Sequence, residues 1–200
     1  LGGLSMLTLG MDTSSKYLVL VLMDENGVID SVVKDCFKHQ SEEIFPCLIS
    51  MMERNNFSSE DITSIVVTEG PGSYTGVRIA MTIAKVFASL KNIPLYTIGT
   101  LQLFAGTKNC RVVMDARGHR MYTALLDHGD YIEAPHVLPV DEYTNENIEI
   151  VGDGSLVGQA DTIPDFASNF FDLKNKWLKA ENIDLVTPEY LKSSEAYLTK

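Results

Sequence analysis

Four short stretches carry residues of the kind that hold phosphate or metal. Asp12, Thr13 and Ser14 place a carboxylate and two hydroxyls in a polar turn between apolar runs. Such a set can hold a metal-bound phosphate, and the same residue types are also good turn formers. Gly70, Gly72 and Ser73 lie in Thr68-Glu69-Gly70-Pro71-Gly72-Ser73-Tyr74-Thr75-Gly76-Val77-Arg78, where a β-branched run gives way to a helical pattern. Glycines there permit backbone angles that other residues avoid, and Ser73 or Thr75 can cap the helix, so that free N–H groups and the positive helix end favour an anion. The spacing is not that of a P-loop, for no Gly-Lys-Ser/Thr follows, nor of a dinucleotide fingerprint, whose third glycine would fall at 75 and not at Gly76. A tight structural turn is the competing reading. Asp115-Ala116-Arg117-Gly118 is a candidate for a matching second turn, and Gly152-Asp153-Gly154 can either approach an adenosine or serve only as a turn.

Other chemistries find no residues. His39, His119, His128 and His136 never fall three or four apart, so no helical metal pair can be built from them. Gly72-Ser73 is not followed by a glycine at the spacing of a nucleophile elbow. Cys36, Cys47 and Cys110 are odd in number and widely spaced, which fits neither a disulfide framework nor zinc and suits a reducing, cytoplasmic setting.

The elements that must position these residues alternate. Strands are expected at Leu7–Met11, Tyr17–Met23 and Val28–Phe37, then a helix from an N-cap at Ser41 to about Asn55. Ile62–Thr68 should be a strand, 75–91 a long helix, Leu95–Ile98 a strand, and 101–105 a short helix. A second block follows, with strands at Arg111–Asp115, Met121–Leu126 and Tyr131–Pro135, a polar loop at 141–149 and a strand end at 150–154. The tail from Asp172 places Trp177 and Leu178 at helical spacing. Both blocks open with strands and an Asp-containing turn, as structural duplicates would. Leu1–Ser5 read as extraneous residues before Met6.

At 200 residues, 45% hydrophobic and 22% charged, the chain can build a proper core as one large domain or two lobes. Its net charge of -11 makes it a poor stand-alone ligand for nucleic acid. The charge is uneven: from Gly70 to Met114 there is no Asp or Glu, while Arg78, Lys85, Lys91, Lys108 and Arg111 are positive, so the rest of the chain carries -16. No apolar run reaches the roughly 20 residues of a membrane span.

Both long helices carry more apolar residues than one contact with a sheet can bury. Ile44, Leu48, Met51 and Met52 on the first, and Val77, Met81 and Lys85 on the second, are the candidates for an interface with another subunit. Met52 and Met81 are the positions chosen to face outward. The other reading is that the two helices simply cover each other.

Together with Met6–Ser14, Ser41-Glu42-Glu43-Ile44-Phe45-Pro46, Ala84-Lys85, Met114-Asp115-Ala116-Arg117 and Pro188-Glu189-Tyr190-Leu191, the glycine stretch resembles the bacterial TsaB (YeaZ) family over nearly the whole chain. The resemblance implies an α/β, two-lobed actin-like ATPase (ASKHA, RNase H-like) fold, with an N-terminal lobe over 1–100 and a smaller C-terminal lobe over 101–200. It implies a non-catalytic scaffold in making N6-threonylcarbamoyladenosine (t6A) on tRNA. The partners implied are the catalytic TsaD paralogue and the TsaE ATPase, with a homodimer when alone and tRNA reached only through the complex. TsaD holds metal through a His-x-x-x-His segment after the strand that follows the glycine-loop helix; here that place reads Thr97-Ile98-Gly99-Thr100-Leu101-Gln102-Leu103-Phe104-Ala105, without histidine. No metal and no obligatory cofactor are expected, and ATP or ADP at Asp12–Ser14 and Gly70–Ser73 stays open. The alternatives are a self-sufficient ATPase or phosphotransferase using Asp12 and the glycine loop, and a peptidase. Relatives carry a histidine where this chain has Gln40, and His39 is given no role.

Overall fold

The computed structural model describes residues 5–191; the reading of Leu1 to Leu4 as extraneous lies outside them. Among these residues no helix is long and apolar enough to cross a membrane. β1 (Thr8–Asp12), β2 (Tyr17–Met23) and β3 (Val28–Asp35) form an antiparallel meander. β4 (Ser64–Thr68) pairs parallel with β1, and β5 (Leu95–Ile98) parallel with β4. In the second sheet β6 (Cys110–Asp115), β7 (Arg120–Asp127) and β8 (Asp130–Pro139) form another meander, and β9 (Ile150–Gly152) pairs parallel with β6. The order β8-β7-β6-β9 therefore repeats β3-β2-β1-β4. That repetition of topology is the duplication suggested by the two Asp-containing turns.

The first sheet is completed by β10 (Leu178–Lys179), antiparallel to β5. The tail thus returns to the first sheet, and the halves expected to divide at residue 100 are interleaved in sequence. Trp177 and Leu178, expected on a helix, lead into this extended segment, where Trp177 meets the Tyr96 ring at 5.8 Å.

Burial explains the apolar run of β2. Leu18, Leu20 and Leu22 face one core and Val19, Val21 and Met23 another, so a strand covered on both faces reads as continuous rather than alternating. The outer core lies under α1 (Gln40–Arg54) and α2 (Tyr74–Lys91). The inner core, between the sheets, takes in α3 (Thr100–Ala105) and α4 (Phe166–Asp172). α4 was not expected. Its signals are short: Asp165 caps it by accepting the Ser168 N–H at 3.2 Å, and Phe166 and Phe170, four apart, are fully buried. Ser41 is not the cap of α1, which starts at the buried Gln40 after His39; Gln40 Nε2 instead donates to the Ser15 carbonyl at 2.7 Å.

Candidate functional site

Asp12 ends β1 on the edge of the inner core, and its side chain is fully buried. Oδ1 accepts three hydrogen bonds, from the Ser14 N–H at 2.9 Å, Ser14 Oγ at 2.5 Å and Thr68 Oγ1 at 2.6 Å. Among the described residues Oδ2 has no hydrogen-bond partner. Burial pushes the carboxyl above its ordinary range, and the hydrogen bonds from Ser14 and Thr68 oppose it only in part.

The neighbouring residues of the turn are spent on the glycine loop. Thr13 Oγ1 donates to the Gly76 carbonyl at 2.5 Å and accepts the Ala80 N–H at 3.1 Å, inserting a hydroxyl into the α2 ladder where the backbone bond would otherwise run. The Ser73 N–H donates to the Ser14 carbonyl at 2.9 Å, and Ser73 Oγ caps α2 by accepting the Gly76 N–H at 3.1 Å. The two glycines are needed for close approach: a Cβ at Gly72 would lie 2.5 Å from the Ser14 carbonyl oxygen, and one at Gly76 would collide with that of Thr13. Gly70 has φ +110° and backs onto the Glu189 carbonyl. From the second sheet, Tyr122 Oη donates to the Gly72 carbonyl at 3.3 Å.

All six predicted anion-site residues are thus brought together, but facing one another. Asp12, Thr13, Ser14, Gly70 and Gly72 are buried, and only Ser73 is exposed. The N–H groups of Ser73 and Gly76 and the hydroxyls of Thr13 and Ser14 are engaged within the protein. These N–H and hydroxyl groups are therefore not free to receive a phosphate. Thr68, Gly76 and Tyr122 complete the cluster and were not singled out; Thr68 is a strand end in sequence, and only the β1–β4 pairing sets it beside Asp12.

The second turn lies close by. The Asp115 N–H donates to Asp153 Oδ2 at 2.8 Å, which joins the Asp115–Gly118 turn to Gly152-Asp153-Gly154 through the parallel pairing of β6 and β9. Arg117 reaches across to the turn that follows β3, 4.8 Å above the Phe37 ring. Among the described residues no group of three or more His, Cys, Asp or Glu is placed to hold a metal. Where the His-x-x-x-His pair would stand, Thr100, Leu101, Leu103 and Phe104 of α3 are buried in the inner core.

Replacing Asp12 by Asn tests the electrostatics. A carboxyl raised in the folded state is most favourable below its unfolded value of about 3.9, and that contribution is lost as pH rises toward its folded value. Asp12→Asn should therefore be at least as stable as the natural chain at pH 7 and show a flatter dependence of unfolding free energy between pH 4 and 7 by urea titration.

The interface candidates need correction. Ile44, Met51, Met52, Val77 and Met81 are buried, at 6% exposure or less; Val77 lies against Gly72 and the others are in the outer core. Leu48 is half-buried, and Lys85 Nζ donates to the carbonyls of Asp184 at 3.0 Å and Val186 at 2.7 Å. The outward apolar residues are instead Phe45, Ile49, Val86 and Leu90, 51–82% exposed, with Ile79 and Ile83 half-buried beside them. The reason is size. Ala80, Ala84 and Ala88 form the stripe that lets α2 lie close on the sheet, so the bulkier Val86 and Leu90 are turned away, with Ile79 and Ile83 at the margin of the outer core. Between the helices runs a largely apolar groove of about 430 Å³, lined by Phe45, Tyr74, Arg78, Ile79, Thr82 and Ile83.

The acid-free run is not a free basic patch. Arg111 is buried and bound by Glu146 at 2.6 Å and Glu133 at 2.7 Å, while Lys91 pairs with Glu60 and Lys108 with Glu149. Lys85 is held by the tail, and Arg78 lies 5.6 Å over the Tyr74 ring.

Residues 27–147 match the family model described as TsaD, tRNA N6-adenosine threonylcarbamoyltransferase. The tRNA threonylcarbamoyladenosine biosynthesis protein TsaB of Bacillus subtilis (strain 168) is 33% identical over 128 residues, 62% of this chain and 56% of its own length. That of Escherichia coli (strain K12) is 27% identical over 123 residues, 58% of this chain and 53% of its own length. The match thus spans little more than half of these relatives. Among solved structures, YeaZ from Pseudomonas aeruginosa superposes with a TM-score of 0.71 at 19% identity, covering 93% of this chain and all of that one. A second structure, an uncharacterized protein with similarity to peptidase YEAZ from Pseudomonas aeruginosa, gives 0.77 at 19% identity, covering 94% of this chain and all of that one. The fold is the actin-like, RNase H-like α/β fold expected from the sequence.

Proposed function

The chain belongs to the TsaB (YeaZ) family, and from that premise we propose that it is a non-catalytic subunit in t6A biosynthesis, docking to a TsaD-like catalytic paralogue and acting with a TsaE-like ATPase. The observation that carries this reading is the exposed apolar groove between α1 and α2. A chain in water rarely leaves such a strip uncovered. A paralogue of the same fold presents two helices at the corresponding place, and two such pairs can pack as a four-helix contact. The same patch on a second copy makes an isologous dimer, so self-association and partner docking compete for one surface.

The inward-facing Asp12 cluster supports a scaffold over a self-sufficient ATPase, because the hydroxyls of Thr13, Ser14 and Thr68 and Asp12 Oδ1 are already paired within the protein. Among the described residues no group of three or more His, Cys, Asp or Glu is placed to hold the metal of a metallopeptidase. The paired cations and the net charge of -11 favour tRNA contact through the complex alone. The setting proposed is the cytoplasm.

Mixing the purified chain with a TsaD-like paralogue tests the reading. A 1:1 complex should elute ahead of both components in size-exclusion chromatography. Two unshifted peaks at concentrations of tens of micromolar would sink it.

A further inference from the structure

Leu185 is an apolar side chain left in water on a segment that is otherwise seated on the protein. Ile183 and Val186 pack against the outer core, while Leu185 between them is 75% exposed. Lys85 Nζ fixes the backbone on both sides of it, donating to the carbonyls of Asp184 at 3.0 Å and Val186 at 2.7 Å. From there the chain follows α2 toward the glycine loop. The Glu189 N–H donates to the Glu69 carbonyl at 2.6 Å, Tyr190 stacks on Tyr74 with ring centroids 5.0 Å apart, and Leu191 packs against the inner core.

Helix geometry sets this segment beside the docking groove. Tyr74, Arg78 and Lys85 fall on one flank of α2, and Ile79 and Ile83 on the flank that meets α1. Between the flanks lies the crest that carries the exposed Thr82 and Val86. α2 is therefore bordered by α1 on one side and by 183–191 on the other. The two borders meet at the N-terminal end of α2. There Tyr74, on which Tyr190 stacks, lines the groove together with Arg78, whose guanidinium lies 5.6 Å over the Tyr74 ring. A single exposed leucine is ordinary on a protein surface. Leu185 differs because it is held by the residue that precedes Val86 and so borders the outward strip of α2.

We propose that residues 183–191 form a third rib of the docking surface, beside α1 and α2, with Leu185 touching the catalytic paralogue and Tyr190 positioning the Tyr74 end of the groove. This inference rests on the docking reading above and names further residues of this chain that the partner meets. Lys85 then serves the interface without touching the partner, by holding Leu185 in place. A rib already fixed in the free chain loses little freedom on docking.

Sedimentation velocity with a TsaD-like paralogue tests it on Leu185→Asp, Tyr190→Ala and Tyr190→Phe, with Phe45→Asp as the reference for the groove. Leu185→Asp should weaken the heterodimer about tenfold or more and leave urea unfolding unchanged, because the side chain is exposed in the free chain and desolvated in the complex. Tyr190→Ala should weaken it about fivefold, the scale of one aromatic pair, and Tyr190→Phe, which keeps the stacked ring, should restore most of the natural affinity. Undiminished binding by Leu185→Asp while Phe45→Asp fails to bind would overturn the third rib and leave the docking reading standing. Equal affinities for Tyr190→Ala and Tyr190→Phe would overturn the positioning role of Tyr190. If the natural chain forms no heterodimer, the docking reading falls and this inference with it.

Discussion

Phe45→Asp should abolish association through the α1–α2 face, by at least 100-fold in dissociation constant, while changing the unfolding free energy by no more than about 1 kcal/mol. Phe45 is 51% exposed and lines the groove, so a charge there costs the free chain little but would be desolvated and unpaired in a docked complex. Met81→Asp should do the opposite. Met81 is 2% exposed in the outer core, and a lone carboxylate there should cost about 4 kcal/mol of stability. Sedimentation velocity and urea unfolding on both variants separate the two faces. Equal loss of association with an intact fold in Met81→Asp would mean that α2 is rotated from the orientation described.

The second large effect lies at the glycine loop. Gly72→Ala should destabilise by about 3 kcal/mol, because the added methyl would lie 2.5 Å from a backbone oxygen of Ser14, 2.7 Å from its Cβ and 2.9 Å from Val77 Cγ2. For a chain of this size that is a fall in melting temperature of about 6–12 °C. Ser73→Ala, which removes the cap from the next residue and adds no atom, should cost only about 1 kcal/mol. Equal melting temperatures for Gly72→Ala and the natural chain, by calorimetry, would show that the loop does not press on the Asp12 turn. This pair matters for function because a loop held open for phosphate would tolerate the methyl, whereas one seated on its own turn would not.

Most of the strand and helix order was legible because the apolar runs are long and bounded by clear stops. β2 is bounded by polar turns, and α2 begins at a serine cap and ends at Asn92 in the left-handed conformation. What escaped were facts set by three-dimensional pairing. α4 is seven residues long, too short for a periodic stripe, and its identity rests on two phenylalanines and a cap. The return of Leu178–Lys179 to β5 spans some eighty residues of chain and leaves no local trace.

The candidate anion site was legible as a set of residues but not as a state. The parallel pairing of β1 with β4 brings Asp12, Ser14, Gly72 and Ser73 to one place; whether they face a ligand or one another depends on how far α2 sinks onto the sheet. That depth is set by Ala80, Ala84 and Ala88. The same helix explains the misplaced interface. With apolar residues nearly all round, its period cannot tell the face on the sheet from the face in water, and only the contrast between small and large residues could have indicated it. Lys85 was read as an interface cation, yet its partners are carbonyls a hundred residues away.

Docking of the exposed strip between α1 and α2 to a catalytic relative is tested most directly by sedimentation of a TsaD-like paralogue with the natural chain and with Phe45→Asp. A heterodimer with the natural chain, and separate species with a folded Phe45→Asp, is the result this account predicts. A heterodimer of undiminished affinity with Phe45→Asp would contradict it.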